Sequence, residues 1–243
     1  MEREFLQRVF PDDRALGEAI AREVRAVLEG NPEATISLAA GTSSLPAFRA
    51  LLEKIRAGEI SFARARFFAM DEWLDIPRER EGSMYDFLTR NFLSQAGFRE
   101  VFLFDGTAEP EKEILRAREF LGERPLDYIL FGIGVNGHVA LNEPGCPEDG
   151  SIRVVEVSPT TAKVGQKYFG GSGATLQRGI TLGMREAMQA GKVTLVANSP
   201  EKRGIVRSIF DSPPTQSLPA TLLKRRGDVE FLLTQAATDS PAC

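Results

Sequence analysis

The sequence predicts an α/β fold, a single-domain, mostly parallel twisted sheet with helices on both faces. Three observations carry this. Short apolar runs alternate with segments of helical periodicity along the whole chain. The strongest runs, at 35–40, 126–134 and 192–197, are apolar without alternation, as in strands covered on both faces. No internal repeat, low-complexity tract or Pro/Ser-rich linker divides the 243 residues, so residues 1–243 read as one domain.

The elements follow in order. Leu16, Ile20, Val24 and Leu28 recur every fourth residue, one stripe of a helix over 14–28, with Asp12 or Asp13 as cap and Gly30 as stop. TISLAA (35–40) is a strand. A helix carrying Leu45, Phe48, Leu51, Leu52 and Ile55 on one side comes next. ARFFAM (65–70) reads as a strand, 71–82 as a loop because of Pro77 and Gly82, and 82–95 as a helix. VFLF (101–104) is a strand, 109–122 a helix, and LDYILFGIG (126–134) the clearest buried strand. IRVVEV (152–157) alternates and suits a sheet edge. KVTLVA (192–197), a helix over 200–210 and VEFLLT (229–234) complete a modified Rossmann-like pattern.

Composition excludes several classes of function. The net charge is −4 with the basic residues dispersed, which argues against nucleic acid. The densest cluster, Lys224-Arg225-Arg226, reads as a helix C-terminus before Gly227. Cys146 and Cys243 form no C-x-x-C pair and read as incidental, so a thiolate metal or redox site is not expected. The N-terminal MEREFLQRVFPDDR is too charged for a signal peptide, and no apolar run approaches the ~18 residues of a membrane span. A cytoplasmic protein without membrane partners is expected. The oligomeric state stays open, a homo-oligomer being compatible.

In parallel sheets ligands bind outside the carboxyl ends of the strands, so the residues just after each strand matter most. After 35–40 come Gly41, Thr42, Ser43 and Ser44, then a helix. Such a turn can hold an anion on helix N–H groups, or its serines can simply cap the helix. The G-x-x-x-x-G-K of a Walker loop is absent. After 65–70 come two adjacent carboxylates, Asp71 and Glu72, one of which could serve as a base in a half-buried cleft. After 126–131 comes GIGVNGHVALNEPG (132–145), with the only histidine of the chain. Its G-x-G-x-x-G fits a dinucleotide fingerprint poorly, because that fingerprint belongs to the first βαβ unit. His138 is either a satisfied core histidine or a proton shuttle among Asn136, Asn142 and Glu143, with Glu143 within reach over one turn. With no second histidine a polyhistidine metal site is excluded, and no metal is expected.

These motifs resemble the glucosamine-6-phosphate deaminase/isomerase family and its galactosamine-6-phosphate relatives over nearly the whole chain. The likeness lies in AGTSS (40–44), ISFARARFFAMDEWLDIP (60–77), GSMYDFLTRNF (82–92), GIGVNGHVALNEPG (132–145), TTAKVGQKYF (160–169) and NSPEK (198–202). The resemblance implies a parallel α/β fold and an aldose–ketose isomerase/deaminase that needs no metal or organic cofactor. It implies that Asp71 moves a proton from C2 to C1 of an open-chain amino-sugar 6-phosphate. His138 would open the pyranose ring, with Glu143 assisting. Gly41, Thr42, Ser43, Lys167 and Lys202 would hold the phosphate. The family usually has arginine where Lys167 stands, so a point charge replaces a bidentate fork. Glucosamine-type members have aspartate where this chain has Asn136, and an amide can orient the imidazole without stabilising imidazolium. The N-G-H and D-E-W combination is more like the galactosamine-6-phosphate branch. Residues 145–155 lack the serines and lysine of the effector pocket in hexameric relatives, so control by an N-acetylated sugar phosphate is not implied. Two other readings stay open, a 6-phosphogluconolactonase and a sugar-phosphate-binding relative without turnover.

Overall fold

A computed structural model describes residues 5–170 and 173–238. Cys243 and the first four residues of the charged N-terminus lie outside the described residues. Seven strands form the main sheet. They are β1 (Leu6–Phe10), β2 (Thr35–Leu38), β3 (Arg66–Phe68), β5 (Glu100–Phe102), β6 (Tyr128–Gly132), β9 (Lys192–Ala197) and β10 (Glu230–Thr234). Their order is β1-β10-β9-β6-β2-β3-β5, every neighbouring pair parallel. Alternate strand residues enter different cores, as the period of two requires. Ile129 and Phe131 of β6 pack with Val206 and Ile209 of α8 (Arg203–Asp211) and Ala187 of α7 (Met184–Gln189). Tyr128 and Leu130 pack with α1 (Asp13–Gly30) and α2 (Leu45–Arg56) on the other side.

Helix α1 starts where Asp12 accepts a hydrogen bond from the Ala15 amide, and its Leu16, Ile20 and Val24 are wholly buried. Burial of each such side chain contributes roughly 1.5–3 kcal/mol. Gly17 lets α1 and α2 cross closely, since a Cβ there would lie 2.3 Å from the Pro46 carbonyl oxygen. Among the described residues no helix is long and apolar enough to cross a membrane.

Several expectations are sharpened or corrected. The helix expected over 82–95 is present as one continuous helical run, α3 (Met84–Leu88), a π-turn (Thr89–Leu93) and α4 (Ser94–Ala96), ending at left-handed Gly97. The Asn91 side-chain amide donates to the Phe87 carbonyl and competes with the regular backbone ladder there. The loop expected from Asp71 begins three residues later, because Asp71–Trp73 form strand β4. β4 pairs antiparallel with β8 (Arg178–Thr181), which pairs antiparallel with β7 (Arg153–Glu156). The alternating run at 152–157 is thus the edge of a separate three-stranded sheet. Cys146 is buried and packs in the larger core.

The remaining helices are α5 (Pro110–Leu121) and α6 (Pro159–Gly165). From β2 the chain progresses towards β5 at one edge, and from β6 it progresses through β9 to β10 on the other side. The direction reverses between β2 and β6, the topological switch point where such sheets bind ligands.

Candidate active site

Loops from both sides of the switch point line one open cleft of about 790 Å³. Gly41, Thr42, Ser43, Asp71, His138, Lys167 and Lys202 all face it. Asn136 and Glu143 stand behind His138 and do not form its wall.

The loop after β2 passes through a 3₁₀ turn (Thr42–Ser44) into α2. Neither serine caps the helix through its side chain, and the Ser44 hydroxyl is buried without a partner. The capping alternative for this turn is therefore not realised through a serine side chain. The Thr42 amide donates to the Tyr168 hydroxyl at 3.3 Å.

The two adjacent carboxylates separate by strand alternation. Glu72 turns into the protein and accepts from the amides of Trp73 (2.8 Å), Met84 (2.9 Å) and Tyr85 (2.7 Å), which fixes the start of α3. Burial still raises its pKa to about 7. Asp71 faces the cleft, and burial, then the Glu72 charge, push its carboxyl well above the usual range. A carboxyl facing a cleft in this way can take a proton and return it.

The loop after β6 folds back at once, with Gly137 at φ +83° and the Gly134 amide donating to the His138 carbonyl at 3.0 Å. The His138 ring lies on Gly134, where a Cβ would meet its Cε1 at 2.2 Å. Nδ1 of His138 is 2.8 Å from Asn136 Oδ1, and Asn136 Nδ2 donates to Glu143 Oε2 at 2.7 Å. The reversed amide would set Oδ1 against that carboxylate, so the carboxylate fixes which end faces the ring. Nδ1 therefore carries the proton and Nε2 is the basic nitrogen. Glu143 itself is 3.7 Å from Nδ1, so it reaches the imidazole through Asn136 rather than by a direct hydrogen bond. Burial, reinforced by the Lys202 charge and opposed by Glu143, lowers the His138 pKa to about 4 and keeps the ring neutral. Asn142 serves the loop instead. Its amide donates to the Val139 and Leu182 carbonyls and its oxygen accepts from Arg153 at 2.8 Å.

Lys202 donates to the Ile133 carbonyl. Burial and the nearby Lys167 charge lower its pKa to about 8. Two neighbouring cations lining one cleft are able to attract an anion. Sequence reasoning missed Tyr168, Trp73, Met84 and Thr161, which also line the cleft, and Ser158 behind it. Only Ser158 carried a signal, since Ser-Pro before a helix marks a cap followed by proline at N1. Among the described residues no group of three or more His, Cys, Asp or Glu is placed to hold a metal ion.

Known proteins share this arrangement of chain. The profile of the family described as glucosamine-6-phosphate isomerases/6-phosphogluconolactonase matches residues 13–231. A glucosamine-6-phosphate deaminase of Streptococcus suis is 29% identical over 223 residues, covering 91% of this chain and 93% of its own. One from Exiguobacterium sibiricum is 31% identical over 204 residues, covering 84% and 79%. Among solved structures, a monomeric glucosamine-6-phosphate deaminase superposes with TM-score 0.89 at 22% identity, covering 96% of this chain and 98% of its own. The 6-phosphogluconolactonase of Leishmania guyanensis superposes with TM-score 0.73 at 18% identity, covering 98% and 99%.

Proposed function

Because the chain belongs to the glucosamine-6-phosphate isomerase/6-phosphogluconolactonase family, we infer that it is an amino-sugar-6-phosphate deaminase (isomerase) acting on glucosamine-6-phosphate or galactosamine-6-phosphate. The observation that carries this reading is the pairing, in one cleft, of a raised carboxyl at Asp71 with a neutral imidazole at His138. Proton abstraction from carbon and ring opening need different groups, and the cleft supplies both. Lactone hydrolysis needs only a base for water.

The phosphate binds Lys167, Lys202 and the turn at Gly41, Thr42 and Ser43. His138 Nε2 takes the proton of the anomeric hydroxyl and returns it to the ring oxygen, which opens the pyranose. Asn136 and Glu143 hold the imidazole during this transfer. Asp71 removes the C2 proton and delivers it to C1, while a proton passes from the amine nitrogen to O1, leaving an imine at C2. Water adds there and ammonia leaves, so hexosamine 6-phosphate plus water gives ketose 6-phosphate plus ammonia. Ring opening and the C2-to-C1 transfer are assigned to side chains of this chain, and the scheme requires neither metal nor organic cofactor.

The test is incubation of the purified protein with both hexosamine 6-phosphates and with 6-phosphogluconolactone, assaying ammonia, ketose phosphate and lactone loss. Ammonia release abolished by Asp71→Asn supports the reading. Rapid lactone hydrolysis that survives Asp71→Asn replaces it with the lactonase reading. Tight sugar-phosphate binding without turnover of any of the three makes the protein a binding relative.

A further inference from the structure

Helix α6 makes a second connection to the imidazole. Ser158 caps α6, its Oγ accepting from the Thr161 amide at 3.2 Å. The same oxygen accepts from Asn136 Nδ2 at 3.2 Å. With both lone pairs engaged, its own proton is directed at Thr161 Oγ1, 3.1 Å away. Thr161 Oγ1 also lies 3.0 Å from His138 Nδ1, the nitrogen that carries the proton. The Thr161 oxygen thus receives hydrogens from two sides. Its own proton can go to neither neighbour, and Thr161 faces the cleft.

We propose that Thr161 is a positioning residue for His138, its hydroxyl accepting a second branch of the Nδ1–H bond and fastening the ring to α6. The hydroxyl keeps the proton on Nδ1 and leaves Nε2 as the nitrogen that meets the sugar oxygens. The 3₁₀ turn carrying Lys167 (Gln166–Tyr168) continues directly from α6. One helical segment therefore sets both the imidazole and a cation of the phosphate clamp. The role rests on the deaminase reading for its catalytic meaning, but the hydrogen bonds stand without it.

The chain has a single histidine, so its ring nitrogens can be observed by ¹⁵N NMR without assignment. Wild type, Thr161→Val and Thr161→Ser are compared free of substrate and in turnover. The expected result is an Nδ1–H tautomer in wild type and Thr161→Ser. Thr161→Val should displace the Nδ1 signal, because only Asn136 Oδ1 then accepts from it, with kcat lowered roughly tenfold or more and little change in KM. A wild-type spectrum and kcat in Thr161→Val overturn the proposal. So does a loss in Thr161→Ser equal to that in Thr161→Val, because the methyl group would then be responsible. If Thr161→Val does not fold, Thr161→Ala against Thr161→Ser makes the same comparison. If the spectra follow expectation while wild type turns over neither hexosamine phosphate, the anchor stands and the deaminase reading fails.

Discussion

Changing one atom of Asn136 tests the chain of hydrogen bonds behind His138. Asn136→Asp replaces the amide nitrogen, which donates to Glu143 Oε2 at 2.7 Å, with an oxygen. Two carboxylates at that separation repel by about 6 kcal/mol at an effective dielectric of ~20. The site is only partly buried, so solvent screening reduces this. Even half of it raises one carboxyl by roughly 2 pH units. The pair would then share a proton into the neutral range. Once protonated, the introduced carboxyl can donate to Nδ1 and push the ring proton to Nε2, which removes the base. The substitution also deletes the bond to Ser158. We expect kcat for ammonia release to fall at least about tenfold between about pH 6 and 7, and to recover partly at higher pH as the pair ionises. The assay is a pH profile of kcat for both proteins. A variant with wild-type or higher kcat throughout that range, and no added ionisation, would refute the polarity argued for this network.

Three further outcomes are expected. Lys202 has its pKa lowered to about 8, so the phosphate clamp loses charge as pH rises through that value. KM should climb above about pH 8 in wild type, and Lys202→Met should have a high KM with no such climb. Glu72 is raised from 4.5 to about 7, so its contribution to stability is full below about pH 4.5 and lost as pH rises through about 7. Glu72→Gln should cost about 1–3 kcal/mol, because a donor then faces backbone N–H groups, and should flatten the pH dependence of melting in that window. Gly134→Ala places a Cβ on the imidazole. Activity should drop on the order of 100-fold while the protein still folds, as judged by circular dichroism, with the histidine ¹⁵N signals displaced.

Legibility in the sequence followed burial. Runs such as 126–134 and 192–197 announce themselves because both faces of β6 and β9 are covered. β1 has four of its five residues exposed, and LQRVF has no apolar pattern to betray it. β4 and β8 are short and belong to an antiparallel sheet whose pairing no local motif encodes. In the cleft, Asp71 and His138 follow strands and carry distinctive neighbours, so they could be found. The split between Asp71 and Glu72 depends on alternation in β4, whose three residues run into Pro77 and Gly82 and carry no strand pattern of their own. Thr161 touches His138 from 23 residues away, and a threonine inside a helix carries no signal of that contact.

The layout of β7, α6 and β8 has a consequence for how the cleft is held together. The chain leaves the parallel sheet after Gly132 and rejoins it at Lys192. Ser158, Thr161, Lys167 and Tyr168 all arrive in the stretch between β7 and β8. Asn142 clips both ends of that excursion, to Arg153 at the start of β7 and to the Leu182 carbonyl just past β8. This side of the cleft is thus one contiguous stretch of chain, tied to the loop after β6 by Asn142 and to Asp71 itself by the pairing of β8 with β4, so a shift of the stretch is felt at both catalytic candidates.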